Sequence, residues 1–184
     1  MPDTPSHQIF LSAHPTTQCD SAQRLDVRLY LRSPGLLTLS YTLRADMSHI
    51  RVGTEAVPGP ADDLWRHTCF EAFLQPGASS GYYEFNFSPT RQWAVYRFDA
   101  YRAGMTPMSS ATPPDISTRK ASDYLELQAT IRLPFSADAG AARRTRLAVA
   151  AVVEEDNGRL CYWAGRHPPG KPDFHHSDGF AFEL

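Results

Sequence analysis

Apolar and polar residues alternate with a period of two along much of the chain. In residues 25–32 every odd-numbered position is apolar, and residues 37–44 alternate again. Successive side chains of a β-strand point to opposite faces, so each run predicts a strand with one buried face and one wet face. The linker at residues 33–35 contains proline and glycine and therefore predicts a hairpin.

Seven later segments also have the composition and length of β-strands. They are residues 69–74, 82–88, 92–98, 124–133, 147–153, 160–163 and 180–184. The first three are separated by short turns and predict a meander, whereas residues 147–153 are continuously apolar, as in a strand buried on both faces. After that strand, Asn157-Gly158 favours the type I′ turn of a hairpin, because both residues accept positive φ angles.

Together these segments predict an all-β chain. We expect one domain, residues 1–184, built as an antiparallel β-sandwich of about nine to eleven strands. Two long connections, residues 45–65 and 103–122, contain several prolines. They are expected to be long ordered loops, where binding residues often lie.

The formal net charge of −2 adds no general electrostatic attraction to nucleic acid or to anionic lipid. No apolar stretch approaches the ~20 residues of a membrane-spanning helix, and residues 1–15 lack the cationic start and apolar run of a signal peptide. We therefore expect a cytoplasmic protein without nucleic-acid or membrane partners. The basic residues Arg143, Arg144 and Arg146 are interpreted as a solvated turn.

The three cysteines, Cys19, Cys69 and Cys161, are widely spaced and odd in number. The chain has no Cys-x-x-Cys pair, which excludes a zinc ribbon or a dithiol redox site. A disulfide framework is therefore not expected. Cys69 and Cys161 lie in apolar, strand-like runs and are predicted to be free thiols packed as small hydrophobic side chains.

Segments 69–74 and 82–88 carry the strongest candidate binding residues. If the two strands pair as a hairpin, Glu71 lies near Glu84 or Asn86 on one face, with cross-strand Cβ separations of about 5 Å. Two neighbouring carboxylates repel unless a cation, a proton or a polar ligand lies between them. The opposite face is apolar and predicts core: Phe70, Ala72, Leu74, Tyr83, Phe85 and Phe87.

Aromatic side chains accompany these polar ones: Trp65, Tyr82, Trp93, Tyr96 and Trp163. Flat rings beside carboxylates and amides are typical of sites for sugars or other planar polar ligands. This combination favours a polar ligand or an ion held on the sheet face. The alternative is a wet outer face on which Arg91 or Arg97 pairs with the glutamates.

Residues 163–176 are punctuated by proline and glycine, which predicts a loop with few accessible conformations. Such a loop is a candidate lid for the binding face, with His167, Lys171 or His175 as donor to the ligand. Three histidines and Asp173 also suggest a metal site, but their spacing matches no strong metal motif. We therefore predict no metal, and surface packing without function is the remaining alternative.

The segment immediately before the Glu71 strand, residues 64–68, adds Trp65 and Arg66 as candidate ligand contacts. Trp65 is equally consistent with a core side chain and with a stacking platform. His67 is predicted to form a hydrogen bond within a loop.

Two further function classes stay open on the sequence alone. One is a haem-binding redox module, for which the candidate axial ligands are Met47, His49, Met105 and Met108. The other is a glycoside hydrolase that uses Glu71 and Glu84. The chain lacks the glycine-rich phosphate-loop, HExxH and Cys-x-x-Cys-His motifs. We therefore predict a binding domain rather than an enzyme, without a cofactor.

Four stretches carry a family resemblance. They read Leu64-Trp65-x-x-x-Cys69-Phe70-Glu71-x-Phe73-Leu74, then Tyr82-Tyr83-Glu84-Phe85-Asn86-Phe87-Ser88-Pro89, then Trp93-Ala-Val-Tyr96-Arg-Phe98, then Tyr162-Trp163-Ala-x-x-His167-Pro-Pro-Gly-Lys171-Pro-Asp173-Phe174-His175. The first three resemble the DOMON-like domains, which are related to the family 9 carbohydrate-binding modules. The last looks like the ending of a bacterial branch of those domains.

The resemblance spans roughly residues 62–184 and implies a β-sandwich of about ten or eleven strands whose relatives bind haem or sugars. By position, the residues it carries over as sugar contacts are Trp65, Glu71, Glu84, Asn86 and Trp163. It therefore implies a non-catalytic domain for a small molecule, with a saccharide as the leading candidate.

Overall fold

β-strands make up almost all the regular structure of the computed structural model, which describes residues 6–33, 35–54, 56–109, 112–135 and 145–184. The strands are β1 (His7–Ala13), β2 (Ala22–Ser33), β3 (Leu36–Ala45), β4 (Ile50–Arg51), β5 (Gly59–Pro60), β6 (Cys69–Gln75), β7 (Tyr82–Phe87), β8 (Gln92–Phe98), β9 (Thr106–Pro107), β10 (Asp115–Lys120), β11 (Tyr124–Arg132), β12 (Arg146–Glu155), β13 (Leu160–Ala164) and β14 (Phe182–Glu183). Short 3₁₀ helices lie at Met47–His49, Leu64–Arg66 and Ser177–Gly179.

Two further expectations from the sequence concern membrane-spanning helices and the basic turn. Over the described ranges, no helix has the length and apolar character needed to span a membrane. Arg143 and Arg144, from the predicted basic turn, lie outside the described residues.

The strands form one curled sheet in the order β10-β11-β3-β2-β1-β13-β12-β6-β7-β8-β5, with β4 and β14 added to β12 and β9 added to β8. Strand β1 joins two halves, because its residues 7–11 pair with β2 while Ser12 and Ala13 pair with β13. We call β10, β11, β3, β2 and β1 the front sheet, and β13 through β5 the back sheet. The two sheets face each other as a sandwich.

The predicted all-β sandwich is confirmed. Ten of the described strands have five or more residues, within the predicted nine to eleven, and four two-residue strands bring the total to 14. Pairing is antiparallel except where β5 runs parallel to β8. Sequence patterning missed β4, β5 and β9 because two residues are too few to show a period, whereas β14 lies within the predicted segment 180–184. It also missed β1 and β10, and β10 lies in the segment 103–122 that was predicted to be a loop.

The main core lies between the two sheets. Leu25, Val27 and Leu29 of β2 are completely buried there, as their alternation predicts, whereas Leu31 near the strand end is 47% exposed. On the back sheet the predicted core face is also confirmed, with Tyr83 only partly buried at its edge. Its fully enclosed members are Phe70, Ala72, Leu74, Phe85 and Phe87.

One side chain of the front sheet reaches the backbone of the back sheet. The ring centroid of Tyr41 on β3 lies 5.1 Å from that of Phe70 on β6. The Tyr41 hydroxyl donates a 2.8 Å hydrogen bond to the backbone carbonyl of Glu71. This contact satisfies a buried polar group and fixes β6 against the front sheet.

The outer face of the back sheet is covered as well. Every residue of β6 is buried. Cys69 and Phe73 of that strand belong to a second apolar cluster, in which the ring centroids of Phe73 and Phe180 are 6.4 Å apart. Side chains that point away from the main core are therefore still removed from water.

The prediction that Cys161 is a free thiol is wrong. Cys19 and Cys161 form a disulfide with a Cα–Cα distance of 5.6 Å, across 142 positions of sequence. Sequence spacing hid the pair, because only the fold brings the segment after β1 across β13. Cys69 is free and buried, as predicted. Disulfides persist mainly in oxidising compartments, and the cytoplasmic location expected from the N-terminal sequence stays a prediction.

Replacing Cys19 by serine is expected to lower the free energy of unfolding by about 2–5 kcal/mol, because the cross-link restricts the unfolded chain. Urea denaturation followed by tryptophan fluorescence measures the change. In reductant, wild type and Cys19→Ser should unfold at the same urea concentration. Cys69→Ala is the control, since its effect should not depend on reductant. Equal stability of wild type and Cys19→Ser in oxidising buffer would contradict the cross-link.

Candidate functional site

A pocket of about 380 Å³ opens on the outer face of the back sheet. Alternate residues of the long strands form its floor, and the loop after β8 and residues 172–175 form its walls. The lining side chains are Trp65, Glu71, Glu84, Tyr96, Phe98, Arg102, Met105, Val152, Tyr162, Pro172, Phe174 and His175.

Strand register brings the two glutamates to the same face. In the antiparallel pairing of β6 with β7, Glu71 lies opposite Asn86 and Phe73 lies opposite Glu84. Glu84 in turn lies opposite Tyr96 on β8. These positions share a face because the side-chain period of a strand is two. The predicted approach of Glu71 to Glu84 and Asn86 is therefore confirmed.

Glu71 is a buried carboxyl group with incomplete hydrogen bonding. The residue is only 3% exposed, and its buried Oε1 atom has no hydrogen-bond partner. Burial, and then the nearby charge of Glu84, raise the pKa of Glu71 well above its ordinary value. Both effects favour the protonated form of Glu71, and its buried Oε1 is available to a ligand.

Glu84 is buried beside it but is better supported. The Nδ2 amide of Asn86 donates a 2.7 Å hydrogen bond to Glu84 Oε1, and Asn86 is itself completely buried. Burial raises the pKa of Glu84 to about 7, against the opposing effects of the Asn86 hydrogen bond and the Arg102 charge. Near pH 7 Glu84 is therefore close to half ionised, so its carboxyl group can donate or accept a hydrogen bond.

Asp173 organises one wall of the pocket. Its carboxylate accepts hydrogen bonds from the Arg102 guanidinium at 2.8 Å and from the Tyr101 hydroxyl at 2.6 Å. It also accepts one from the backbone N–H of His175 at 3.1 Å. These bonds join the loop after β8 to the C-terminal segment, and they place the guanidinium charge of Arg102 against a carboxylate of opposite sign.

His175 closes the pocket next to Glu84. Its Nδ1 atom shares a 2.8 Å hydrogen bond with the Tyr82 hydroxyl, and its Nε2 atom lies 3.7 Å from Glu84 Oε2. Burial, followed by the Arg102 charge, lowers the pKa of His175 to about 4. The imidazole is therefore neutral near pH 7 and brings no positive charge to the glutamates.

Aromatic rings make the apolar part of the pocket. Trp65 packs edge-on against Tyr96, with ring centroids 5.9 Å apart, and the Tyr96 hydroxyl donates a 2.7 Å hydrogen bond to Asp62. On the far side Tyr162 packs against Phe174 at 5.8 Å. These contacts hold the rings in place around a polar floor.

The alternative of a solvated, ion-paired sheet face is wrong for this surface. Glu71 and Glu84 are 3% and 5% exposed, so neither lies in bulk water. Arg97 pairs with Asp99 at 2.7 Å rather than with either glutamate. The glutamates are buried because the C-terminal segment folds over the outer face of the back sheet.

The fold brings about half of the predicted ligand contacts together. Those lining the pocket are Trp65, Glu71, Glu84, Tyr96 and His175. Asn86 adjoins them through its bond to Glu84.

Trp93 and Trp163 do not line this pocket; both belong to the main core. Strand parity explains the difference, because the alternate positions Ala94 and Tyr162 take the outer face. The resemblance carried over Trp163 as a sugar contact, but in this fold Tyr162 provides the ring that lines the pocket.

Three other predicted contacts also lie outside the pocket. Arg66 is exposed and pairs with Asp63 at 3.4 Å, and Lys171 is exposed. His167 Nε2 is hydrogen-bonded to the backbone carbonyl of Ser12 at 2.8 Å. The predicted lid therefore covers the site only through its last residues, because the segment first passes the end of β1 before it returns over the pocket.

The histidines of the C-terminal segment do not converge as metal ligands, since His167 faces Ser12 while His175 faces Glu84 and Tyr82. Among the described residues, potential metal-ligating atoms lie close together at Cys19, Cys161 and Glu155. The two sulfur atoms of that group are joined in the disulfide.

The candidate haem ligands are dispersed. Met47 lies in the main core, His49 is bonded to Asp156 at 2.9 Å, and Met108 packs against the core. Met105 is the one of these candidates that lines the pocket. The four positions therefore do not present a pair of axial ligands.

Sequence reasoning missed several lining residues. Phe98 follows from parity, since it lies two positions after Tyr96 on β8, and Phe174 lies within the proposed lid. Arg102 had no comparable indication. Arg102 has a φ angle of 50°, and Gly104 has one of 65°. Both residues lie in a tight loop, and the alternation of apolar and polar residues predicts strands rather than such loops.

The titration of Glu84 gives a stability test. Its folded pKa of about 7 exceeds the ordinary 4.5, so the folded state binds more protons between these values. The resulting stabilisation is fully present below about pH 4.5 and is lost as pH rises through about 7. The free energy of unfolding of wild type relative to Glu84→Gln should fall by about 3 kcal/mol over this range, at 1.36 kcal/mol per pKa unit.

Urea denaturation of both proteins at several pH values measures that difference, and the His175 contribution cancels because both proteins contain it. Glu126→Gln, on the front sheet away from the pocket, is the matched control. A constant difference between wild type and Glu84→Gln would contradict the raised pKa.

Comparison with known proteins bears on the fold. No family model matches the chain, and no curated protein matches it. A candidate carbohydrate-binding protein from Bacteroides uniformis superimposes with a TM-score of 0.63 at 14% identity, over 93% of this chain and 84% of the other.

A family 9 carbohydrate-binding module from Caldicellulosiruptor kristjanssonii also superimposes. In its glucose complex the TM-score is 0.52 at 12% identity, over 89% of this chain and 76% of the module. In its cellotriose complex the TM-score is 0.53 at 11% identity, over 89% and 74%. At these identities the likeness concerns architecture: the chain has the β-sandwich fold seen in family 9 carbohydrate-binding modules.

Proposed function

We propose that this chain is a non-catalytic binding domain that holds a saccharide in the pocket over Glu71 and Glu84. The observation that carries the proposal is the burial of two carboxyl groups at the floor of a pocket walled by aromatic rings. Burying such groups is costly unless hydrogen bonds compensate. A ligand with several hydroxyl groups would supply the missing bonds.

The size and chemistry of the pocket support a small polar ligand. Its volume of about 380 Å³ lies within the range of about 300–1,000 Å³ that is usual for small-molecule sites. Sugar hydroxyls both donate and accept hydrogen bonds, and Glu71 Oε1 is buried without a partner. The C–H faces of a sugar ring are apolar and would pack against Trp65 or Tyr162.

The structural neighbours add support of a different kind. The family 9 module of similar fold is described in complexes with glucose and with cellotriose. Those ligands belong to that module, and the extension to this chain rests on the pocket chemistry. The same glutamates were the candidate pair for a hydrolase, so the binding proposal requires that the sugar be recovered unchanged.

Replacing Trp65 by alanine is expected to weaken saccharide binding by about 1–2 kcal/mol, because a ring at the pocket wall is lost. Isothermal titration with glucose, cellotriose and a panel of other mono- and oligosaccharides measures the affinity. Arg66→Ala is the matched control, since Arg66 adjoins Trp65 in the same 3₁₀ helix but is exposed and outside the pocket.

Two outcomes would count against the proposal. Equal weakening by Trp65→Ala and Arg66→Ala would place the ligand elsewhere. No binding across the saccharide panel would remove the saccharide assignment. Chromatography of cellotriose after long incubation tests the non-catalytic part, and shorter products that disappear with Glu71→Gln would show hydrolysis instead.

A further inference from the structure

The pocket floor has more hydrogen-bond acceptors than donors. Two buried carboxyl groups face the cavity, and the donors that reach them within the described structure are few. Glu84 receives one bond, from the neutral amide of Asn86. Glu71 Oε1 is buried and receives none. Even with the proton that burial favours on Glu71, the floor offers more acceptor oxygens than donors that reach them.

The positive groups near the floor are already engaged or uncharged. The Arg102 guanidinium is bonded to Asp173 at 2.8 Å. His175 is tied to Tyr82, and its Nε2 stays 3.7 Å from Glu84. Of these described lining residues, neither Arg102 nor His175 donates a hydrogen bond to Glu71 Oε1.

The other groups packed around the glutamates are neutral or act elsewhere. On β6, the Cys69 thiol is buried and lies 3.6 Å from the side-chain oxygen of Asn86. From the front sheet, Tyr41 donates its hydroxyl to the backbone carbonyl of Glu71. On β8, Tyr96 donates to Asp62. The neighbours on β12 and β13 are Val152 and Tyr162, neither of which supplies a cation.

The pocket walls add a second feature that favours a cation. Rings of Trp65, Tyr96, Phe98, Tyr162 and Phe174 line the cavity above the glutamates. The face of an aromatic ring attracts cations, most strongly where water is excluded. Carboxyl groups at the floor of a pocket and aromatic rings in its walls together stabilise a partly desolvated ammonium group.

We propose that the pocket selects amino sugars, that is, saccharides with a free protonated amine, and that the ammonium group is held between Glu71 and Glu84. This inference rests on the proposed saccharide function. An ammonium group brings three N–H donors and one positive charge. A hydroxyl group brings one donor and no charge, so it fills fewer of the acceptor oxygens and does not offset the charge of ionised Glu84.

The proposal sets the direction of a pH effect. The ammonium favours the ionised form of Glu84, whose pKa in the free protein is about 7. Glu84 is mostly protonated near pH 5.5, so binding there must first release a proton. Affinity for an amino sugar should therefore rise by about tenfold between pH 5.5 and 7, as the proton leaves. Affinity for an uncharged sugar should change little.

The test compares sugars that differ at one substituent. Glucosamine is titrated against its uncharged counterparts glucose and N-acetylglucosamine at pH 5.5 and 7.0, and partly deacetylated chitotriose is compared with cellotriose. At pH 7.0 the amine is expected to bind about tenfold more tightly than either uncharged counterpart, from charge-assisted hydrogen bonds.

Variants of the two glutamates test where the ammonium group binds. Glu71→Gln and Glu84→Gln should each reduce the advantage of the amine to less than about threefold, and Glu84→Gln should also flatten its pH dependence. Glu126→Gln, on the front sheet, is the carboxylate control and should preserve the advantage. Circular dichroism confirms that each variant is folded.

The outcomes distinguish a failure of the amino-sugar inference from a failure of the proposed saccharide binding. If wild type binds glucose and glucosamine equally, the amino-sugar inference is overturned while saccharide binding stands. If no sugar binds, both fail. If the preference for the amine survives in Glu71→Gln and Glu84→Gln, the ammonium is held elsewhere and the inference is overturned.

Discussion

The burial of the back sheet on both faces is the constraint on which the site depends. A strand in an ordinary sandwich alternates between a dry face and a wet face, so a glutamate on the outer face is solvated. In this protein every residue of β6 is buried, because the C-terminal segment packs over the outer face. The same period of two that fills the main core with Phe70 and Leu74 therefore places Glu71 in a second, enclosed environment.

That enclosure decides the chemistry of the glutamates. Burial is the largest cause of the raised pKa of Glu71 and of Glu84, and their mutual repulsion adds to it for Glu71. The cost of burying Glu84 is partly offset, because Asn86 donates a hydrogen bond to it and because the charge of Arg102, itself bonded to Asp173, favours its ionised form. An enclosed polar floor with unfilled acceptors is a site whose hydrogen bonds a ligand completes.

The wall of the site depends on contacts between distant segments. Asp173 in the C-terminal segment joins Arg102 and Tyr101 of the loop after β8, and the same segment bonds Tyr82 through His175. Neither segment has a regular period of apolar residues to hold it in place. Their order comes from these polar contacts, which join residues far apart in sequence into the pocket walls.

By itself, the sequence determined the sandwich, eight of its ten long strands and the faces of β6 and β7, because strand alternation is a local property with a known geometric meaning. It did not indicate β1 or β10. It also identified Glu71, Glu84, Asn86, Tyr96 and His175 as parts of one candidate site. Only the tertiary structure decided that Trp93 and Trp163 point into the core and that Cys19 meets Cys161. It alone placed Arg102 at the pocket and buried the glutamates. Those features depend on which distant segments pack together, and a side chain's neighbours across a fold leave no periodic pattern along the chain.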